Sequence, residues 1–272
     1  MYQQVLDLMQ EDFQAKWLMM TAEVERGTRK DSHKLSSRAE DPAWFQDISS
    51  SARTKEEVMF RSCSARVRGY LTRAEQQLGE NPCSRAEALC LATVVGNSLL
   101  LQWLSLIYLN LINIQHFPDI HQCKAPSLLT SVLPGEFRAR LKAARYHGSY
   151  FDRGAAAGER LCDGTGQFCC QGRYDRPDCE YRGQHTINPY SSREARLLFS
   201  TWNLDHQVER SRAVVPALLE AARTRRNRQQ VNSDYFYSLL FTRDNLKLVH
   251  VVCHDKQEHD GRTVDKNKYF VQ

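Results

Sequence analysis

Residues 193–206 read REARLLFSTWNLDH, and residues 245–256 read NLKLVHVVCHDK. In the first, the stretch 196–206 predicts a strand running into the polar pair Asp205-His206. In the second, apolar and polar residues alternate from Asn245 to Val252, a β-prone pattern that ends at Cys253-His254. Two strands that each deliver a histidine beside a polar partner are the part of this sequence that decides the fold. They predict a small β core with chemistry at its ends.

Hydrolysis of a phosphodiester asks for three things. A base must take a proton from water, a hard divalent cation must neutralise the phosphate and the leaving oxygen, and a further cation helps stabilise the extra charge. A neutral histidine suits the first role because its ionisation lies near the working pH. Asp205, His206, His254 and Lys256 supply such a set, with Asn245 nine residues before His254. Five of the nine histidines fall between residues 185 and 259, so the chemistry concentrates in this half. His250 is a weaker candidate, because its alternation with Val249 and Val251 suits a plain strand position.

The chain has 272 residues, enough for one large domain or for one domain with a small companion. With 42% hydrophobic and 25% charged residues, the bulk is a folded soluble protein rather than a disordered or fibrous one. Lys and Arg number 37 against 32 Asp and Glu, a mildly basic balance that permits a polyanionic partner. The nine cysteines are odd in number, and Met1-Tyr-Gln-Gln lacks the basic start of a secretory signal. Metal-binding thiols therefore fit better than a disulfide framework.

Along the chain, Val5, Leu8, Met9, Phe13, Trp17, Leu18 and Val24 make one apolar helical stripe over residues 1–26. The polar stretch from Gly27 to Asp41 reads as a linker. Asp41-Pro42 is a candidate helix start, Asp as cap and Pro in the first turn. Residues 88–135 form an atypical hydrophobic insertion, with no Asp, Glu, Lys or Arg from Ala88 to Pro118. It is long enough to span a bilayer but carries Gly96, Asn97, Gln102, Asn110 and Asn113, so a buried or loosely packed insert is the preferred reading over a membrane span. Residues 212–228 predict a helix with Val214, Val215, Leu218 and Leu219 inward, followed by Arg223, Arg225, Arg226 and Arg228. That basic run reads either as a solvated helix end or as phosphate contacts along DNA, and the second is favoured.

The order D-H, then N-L-x-L, then C-H-x-K resembles the HNH, or ββα-metal, nuclease motif. Longer strings make the resemblance specific. GSYFDRG (148–154), GQFCCQG (166–172), HTINPYS (185–191), REARLLFSTWNLDH, DYFYSLLF (234–241) and NLKLVHVVCHDK resemble the caspase-activated DNase family, over roughly residues 1–80 and 136–260. The resemblance implies an α+β fold: a ββα-metal (HNH-like) nuclease core with surrounding helices, preceded by a short helical dimerisation segment. It divides the chain into residues 1–38, dimerisation segment and linker, and residues 39–272, the catalytic domain.

The implied activity is Mg²⁺-dependent hydrolysis of double-stranded DNA during apoptotic DNA fragmentation, by a homodimer, in nucleus and cytoplasm. His206 would be the general base. Asp205 and His254 would hold Mg²⁺, Asn245 would hold the loop carrying the base, and Lys256 and His259 would stabilise the transition state. A structural Zn²⁺ is implied on Cys170, Cys179, His185 and Cys253, with Cys169 as the substitute ligand. The family also begins with a CIDE-N domain that meets its inhibitor-chaperone and ends in a Lys/Arg-rich tail. Neither is read here, so docking of that inhibitor through CIDE-N is not expected. Two other readings stay open: a catalytically silent form that dimerises with or titrates a longer nuclease, and a zinc-stabilised DNA-binding module without catalysis.

Overall fold

The structure, a computed structural model, describes residues 31–79, 133–226, 229–255 and 262–271, together with Lys16 and Met19. Lys16 and Met19, within the helix read over residues 1–26, are both helical. Residues 88–132 of the 88–135 stretch lie outside the described residues, and residues 133–135 are helical. Among the described residues no helix is long and apolar enough to cross a membrane.

The spine is α1, Lys55–Gly79. Its buried positions Met59, Cys63, Val67, Leu71, Ala74 and Leu78 recur every three or four residues, so one stripe faces the core. Thr54 Oγ1 accepts from Glu57 N at 3.2 Å, and the Glu57 carboxylate accepts from Arg53 N at 2.9 Å, satisfying donors that a helix start leaves open. The helix does not open at Asp41-Pro42, where the chain forms turns. The Asp41 carboxylate serves another purpose: it accepts from the fully buried Lys55 Nζ at 2.8 Å. Ser32 O, at 2.7 Å, and Tyr190 O, at 2.9 Å, accept from the same ammonium. From Asp31 on, the segment read as a linker is therefore packed onto the domain, because a buried cation needs the acceptors it carries. Arg153 adds to this, donating to Glu56, His33 O and Leu35 O.

Helix α2 (Leu133–Ala143) packs on α1. Strands β1 (Phe168–Cys169) and β2 (Thr186–Ile187) form one antiparallel pair. Helix α3 (Arg193–Phe199) follows, with Ser192 Oγ accepting from Ala195 N at 3.0 Å. The strand expected over 196–206 is thus a helix for its first four residues, since a good N-cap and a Leu-rich run fit a helical turn. Only Asn203–His206 is strand, β3. It pairs antiparallel with β4 (Leu246–Val249), Asn203 opposite Val249 and His206 opposite Leu246.

Between β3 and β4 lie a wide turn (Arg210–Val214), α4 (Val215–Thr224) and α5 (Ser233–Phe241). Val214, Val215 and Leu218 are buried and Leu219 half-buried, as their spacing predicts. The helix ends at Thr224, so Arg225 and Arg226 follow it and do not belong to it. Strand β4 also stops early. His250 leaves it and caps the short turn Val251–Cys253, its Nδ1 accepting from Val252 N at 3.3 Å.

Beneath β3 sits an aromatic cluster. Phe199 lies 5.0 Å from Phe151 and 4.6 Å from Phe168, centroid to centroid. The Arg66 guanidinium covers Phe151 and Phe199 and donates to Trp202 O and Phe199 O, so α1 holds the entry to β3. The Lys55–Asp41 pair makes a test of this packing. Asp41→Ala leaves the ammonium buried without its counter-charge and should cost about 3–5 kcal/mol of unfolding free energy by denaturant titration.

Candidate active site and metal centre

His206 ends β3 and is buried, with only 7% of its surface exposed. Its Nε2 lies 2.9 Å from Leu240 O. A carbonyl can only accept, so Nε2 carries the proton and Nδ1 keeps the lone pair. Tyr70 of α1 packs edge-on against the ring at 4.9 Å, and its hydroxyl donates to Leu204 O. Burial, with smaller contributions from the positive charges of Arg210 and Arg73, brings the His206 ionisation down to about 4. The ring is therefore neutral at physiological pH and able to accept a proton.

Asn245 holds the chain that leaves His206. Its Oδ1 accepts from Val208 N at 2.7 Å, and its Nδ2 donates to Val208 O and Leu239 O at 2.9 and 2.7 Å. Its own carbonyl accepts from Gln207 N at 2.8 Å. All polar atoms of this buried amide are used, so it is a clamp rather than a reacting group.

Asp205 Oδ1 lies 3.5 Å from His254 Nε2 and accepts from His206 N at 2.9 Å. Both side chains are about one-fifth exposed, at 18% and 21%. One carboxylate and one imidazole, converging and open to solvent, fit a divalent cation that keeps part of its water shell. Lys256 and His259 lie outside the described residues.

The second cluster is closed. Cys170, Cys179, His185 and Cys253 are all buried, and their donor atoms lie within 4.8 Å of one another. Cys179 Sγ is 3.5 Å from His185 Nδ1 and 3.7 Å from Cys253 Sγ, and Cys253 Sγ is 3.3 Å from His185 Nδ1. Sulfur and nitrogen donors around a tetrahedral zinc stand about 3.5–3.8 Å apart, so the set fits such an ion. Cys170 Sγ accepts from His250 N at 3.3 Å and Gly172 N at 3.4 Å. Hydrogen bonds from Cys253, His185 and these amides bring Cys170 down to about 4. Cys253 is pushed up, first by its hydrogen bond to Cys170 and then by burial, and Cys179 is pushed up by burial. One thiolate is thus stable among these groups alone, and a bound cation lets all three ionise.

Backbone geometry brings the four donors together. Gly172 has φ of +77°, and a Cβ there would meet Asp178 O at 2.3 Å, so glycine lets the loop fold back to place Cys179. Gln171 N donates to Leu248 O at 2.9 Å, and Lys247 Nζ donates to the carbonyls of Gln171, Arg173 and Arg176. These bonds fix the loop to β4. Cys169 is exposed, on the opposite side of β1 from Phe168, and takes no part. The six described cysteines are all free. A surface cleft of about 440 Å³ runs along residues 176–184, but its charges pair within the loop, and Asp205, His206 and His254 do not line it.

Arg223, Arg225 and Arg226 are exposed at and beyond the end of α4, and Arg228 is outside the described residues. The contacts made by Tyr70 and Lys247 were not legible in the sequence. Tyr70 stands 134 residues before the Leu204 carbonyl it binds, and no local pattern marks it.

The model of the family described as DNA fragmentation factor 40 kDa matches residues 2–113 and 108–271. The chain belongs to this family. The break between the two matched segments falls inside the 88–135 stretch. DNA fragmentation factor subunit beta of Bos taurus is 41% identical over 233 residues, covering 86% of this chain and 55% of that protein. The Homo sapiens subunit is 39% identical over 222 residues, 82% of this chain and 53% of its own length. The chain thus spans about half the length of the curated relatives it matches. A crystal structure of caspase-activated DNase superposes with a TM-score of 0.66 at 37% identity, covering 88% of this chain and 79% of that one.

The cysteine cluster gives the simplest test. Cys170→Ala, Cys179→Ala and Cys253→Ala should each lower metal content well below one ion per chain by elemental analysis, while Cys169→Ala keeps the wild-type content.

Proposed function

We propose that this chain is a metal-dependent endonuclease that hydrolyses phosphodiester bonds of double-stranded DNA in apoptotic DNA fragmentation. One observation carries the reading: a buried, neutral His206, with Nε2 tied to Leu240 O, stands next in sequence to an open Asp205–His254 pair. In this reading Asp205 and His254 hold Mg²⁺, and Cys170, Cys179, His185 and Cys253 hold a structural Zn²⁺. The names of the relatives, a DNase and a DNA fragmentation factor subunit, support the substrate class.

The residues divide the work. His206 Nδ1 takes a proton from water as the water oxygen attacks phosphorus. The bond from phosphorus to the 3′-oxygen breaks and that oxygen takes a proton from solvent water, leaving a 5′-phosphate and a 3′-hydroxyl, while His206 later returns its proton to solvent. The Leu240 carbonyl holds the imidazole by Nε2, and Asn245 holds the chain that leaves His206, so the ring keeps its place. A divalent cation, when bound, supplies charge neutralisation at the phosphate and at the departing oxygen. Lys256 and His259 act on the transition state, and Arg223, Arg225, Arg226 and Arg228 hold the DNA backbone. The protein works as a homodimer in nucleus and cytoplasm, and the inhibitor-chaperone of the DNA fragmentation factor is a partner of the family at large.

Plasmid cleavage tests the reading. Zinc-loaded protein with Mg²⁺ should convert supercoiled plasmid to linear product, and His206→Ala should cut about 10²–10⁴-fold more slowly. Folded, zinc-loaded wild type that leaves the plasmid intact would instead support the silent, partner-titrating form.

A further inference from the structure

One face of α1 runs beside the strand that carries His206. Tyr70 touches the His206 ring and donates to Leu204 O. Seven residues on, Gln77 Nε2 donates to Ser211 O at 2.7 Å. Positions 70, 73 and 77 share a helix face, so Arg73 lies between these two contacts. Its guanidinium stands 5.4 Å from the centre of the Tyr70 ring. Arg210 immediately precedes Ser211 and opens the wide turn that leaves the strand. Two guanidiniums are thereby brought to one side of His206, from elements far apart in sequence.

The setting of Arg210 is unfavourable to its charge in the free protein. Among the described residues, neither Arg73 nor Arg210 has a carboxylate in ion-pair reach, whereas neighbouring Arg212 pairs with Glu209 at 2.6 Å. Arg210 is half-buried. Burial disfavours its charge and Arg73 disfavours it further, and both charges act against protonation of His206. An exposed Arg73 beside a half-buried Arg210, neither with a carboxylate partner among the described residues, is an arrangement that suits an external anion.

We propose that Arg73 and Arg210 form a clamp for a backbone phosphate of the nucleic acid, beside the phosphate attacked from His206. The fork of each guanidinium suits two phosphate oxygens, and the fixed spacing between α1 and the turn sets where the strand lies relative to the base. The clamp rests on the nuclease reading for the identity of its anion. It is separate from the arginines at the end of α4, and it adds α1 to the substrate-binding surface.

The test uses the full, zinc-loaded chain and a short DNA duplex, followed by fluorescence anisotropy without Mg²⁺ between 50 and 200 mM salt. Each lost phosphate contact should flatten the slope of log K against log salt by about 0.9. Arg73→Gln and Arg210→Gln should each show that change, and the double variant about twice as much. In cleavage with Mg²⁺, KM should rise several-fold with kcat moving less. The charge-retaining pair Arg73→Lys and Arg210→Lys controls for folding and should keep the wild-type slope. Wild type that cleaves, with a salt slope that the double Gln variant leaves unchanged, would overturn the clamp and leave the nuclease reading intact. An Arg-dependent slope in a wild type that never cleaves would sustain the clamp and sink the nuclease reading.

Discussion

The convergence of Cys170, Cys179, His185 and Cys253 is the constraint on which the rest of this structure hangs. The two sheets have two strands each, and one pair is only two residues long. Ladders that short are marginal by themselves. Cys170 follows β1, His185 precedes β2, and Cys253 follows β4, so the cluster ties the ends of both sheets to one point. Three buried thiols and an imidazole held this close gain little from one another without a cation, because one thiolate raises the cost of the next. Read as a zinc site, the cluster turns that cost into a cross-link.

The same point sets the geometry of the reacting groups. His254 is the residue after Cys253, so the cluster fixes where its imidazole meets Asp205. Lys247, opposite Asp205 in the β3–β4 register, holds the cysteine loop by its carbonyls. His206 is set by groups with no link to the cluster: the Leu240 carbonyl, the Asn245 clamp and the Tyr70 ring. A half-open pair suited to a cation thus adjoins a buried ring that stays neutral, and the two are joined where Asp205 Oδ1 accepts from His206 N.

The sequence made the chemistry easier to read than the scaffold. Metal and base chemistry draw on few residue types, so Asp205-His206, Asn245 and Cys253-His254 stand out, and the structure brings Asp205 beside His254 and Cys253 among the other thiols. Asn245 lies against the loop after His206. The misread elements failed for local reasons. The Leu-rich run at 196–199 suits either period, and Ser192 as a cap decides for helix. Asp41 has the look of a helix cap, but a buried lysine claims its carboxylate. Tyr70 and Gln77 were invisible because the carbonyls they bind are 134 residues away. Lys256, His259 and Arg228 lie outside the described residues.

Burial and one carbonyl leave the His206 imidazole neutral, with its lone pair on Nδ1. Nitrogen NMR of the imidazole rings in zinc-loaded protein, assigned through His206→Gln, tests this directly. The account predicts the Nε2–H tautomer at pH 7, persisting until the ring titrates at about 4. The unfolded value is near 6.5, so the shift is downward and the ring stays uncharged through the range between the two. A His206 ring already protonated at pH 6.5, or carrying its proton on Nδ1, would contradict the account.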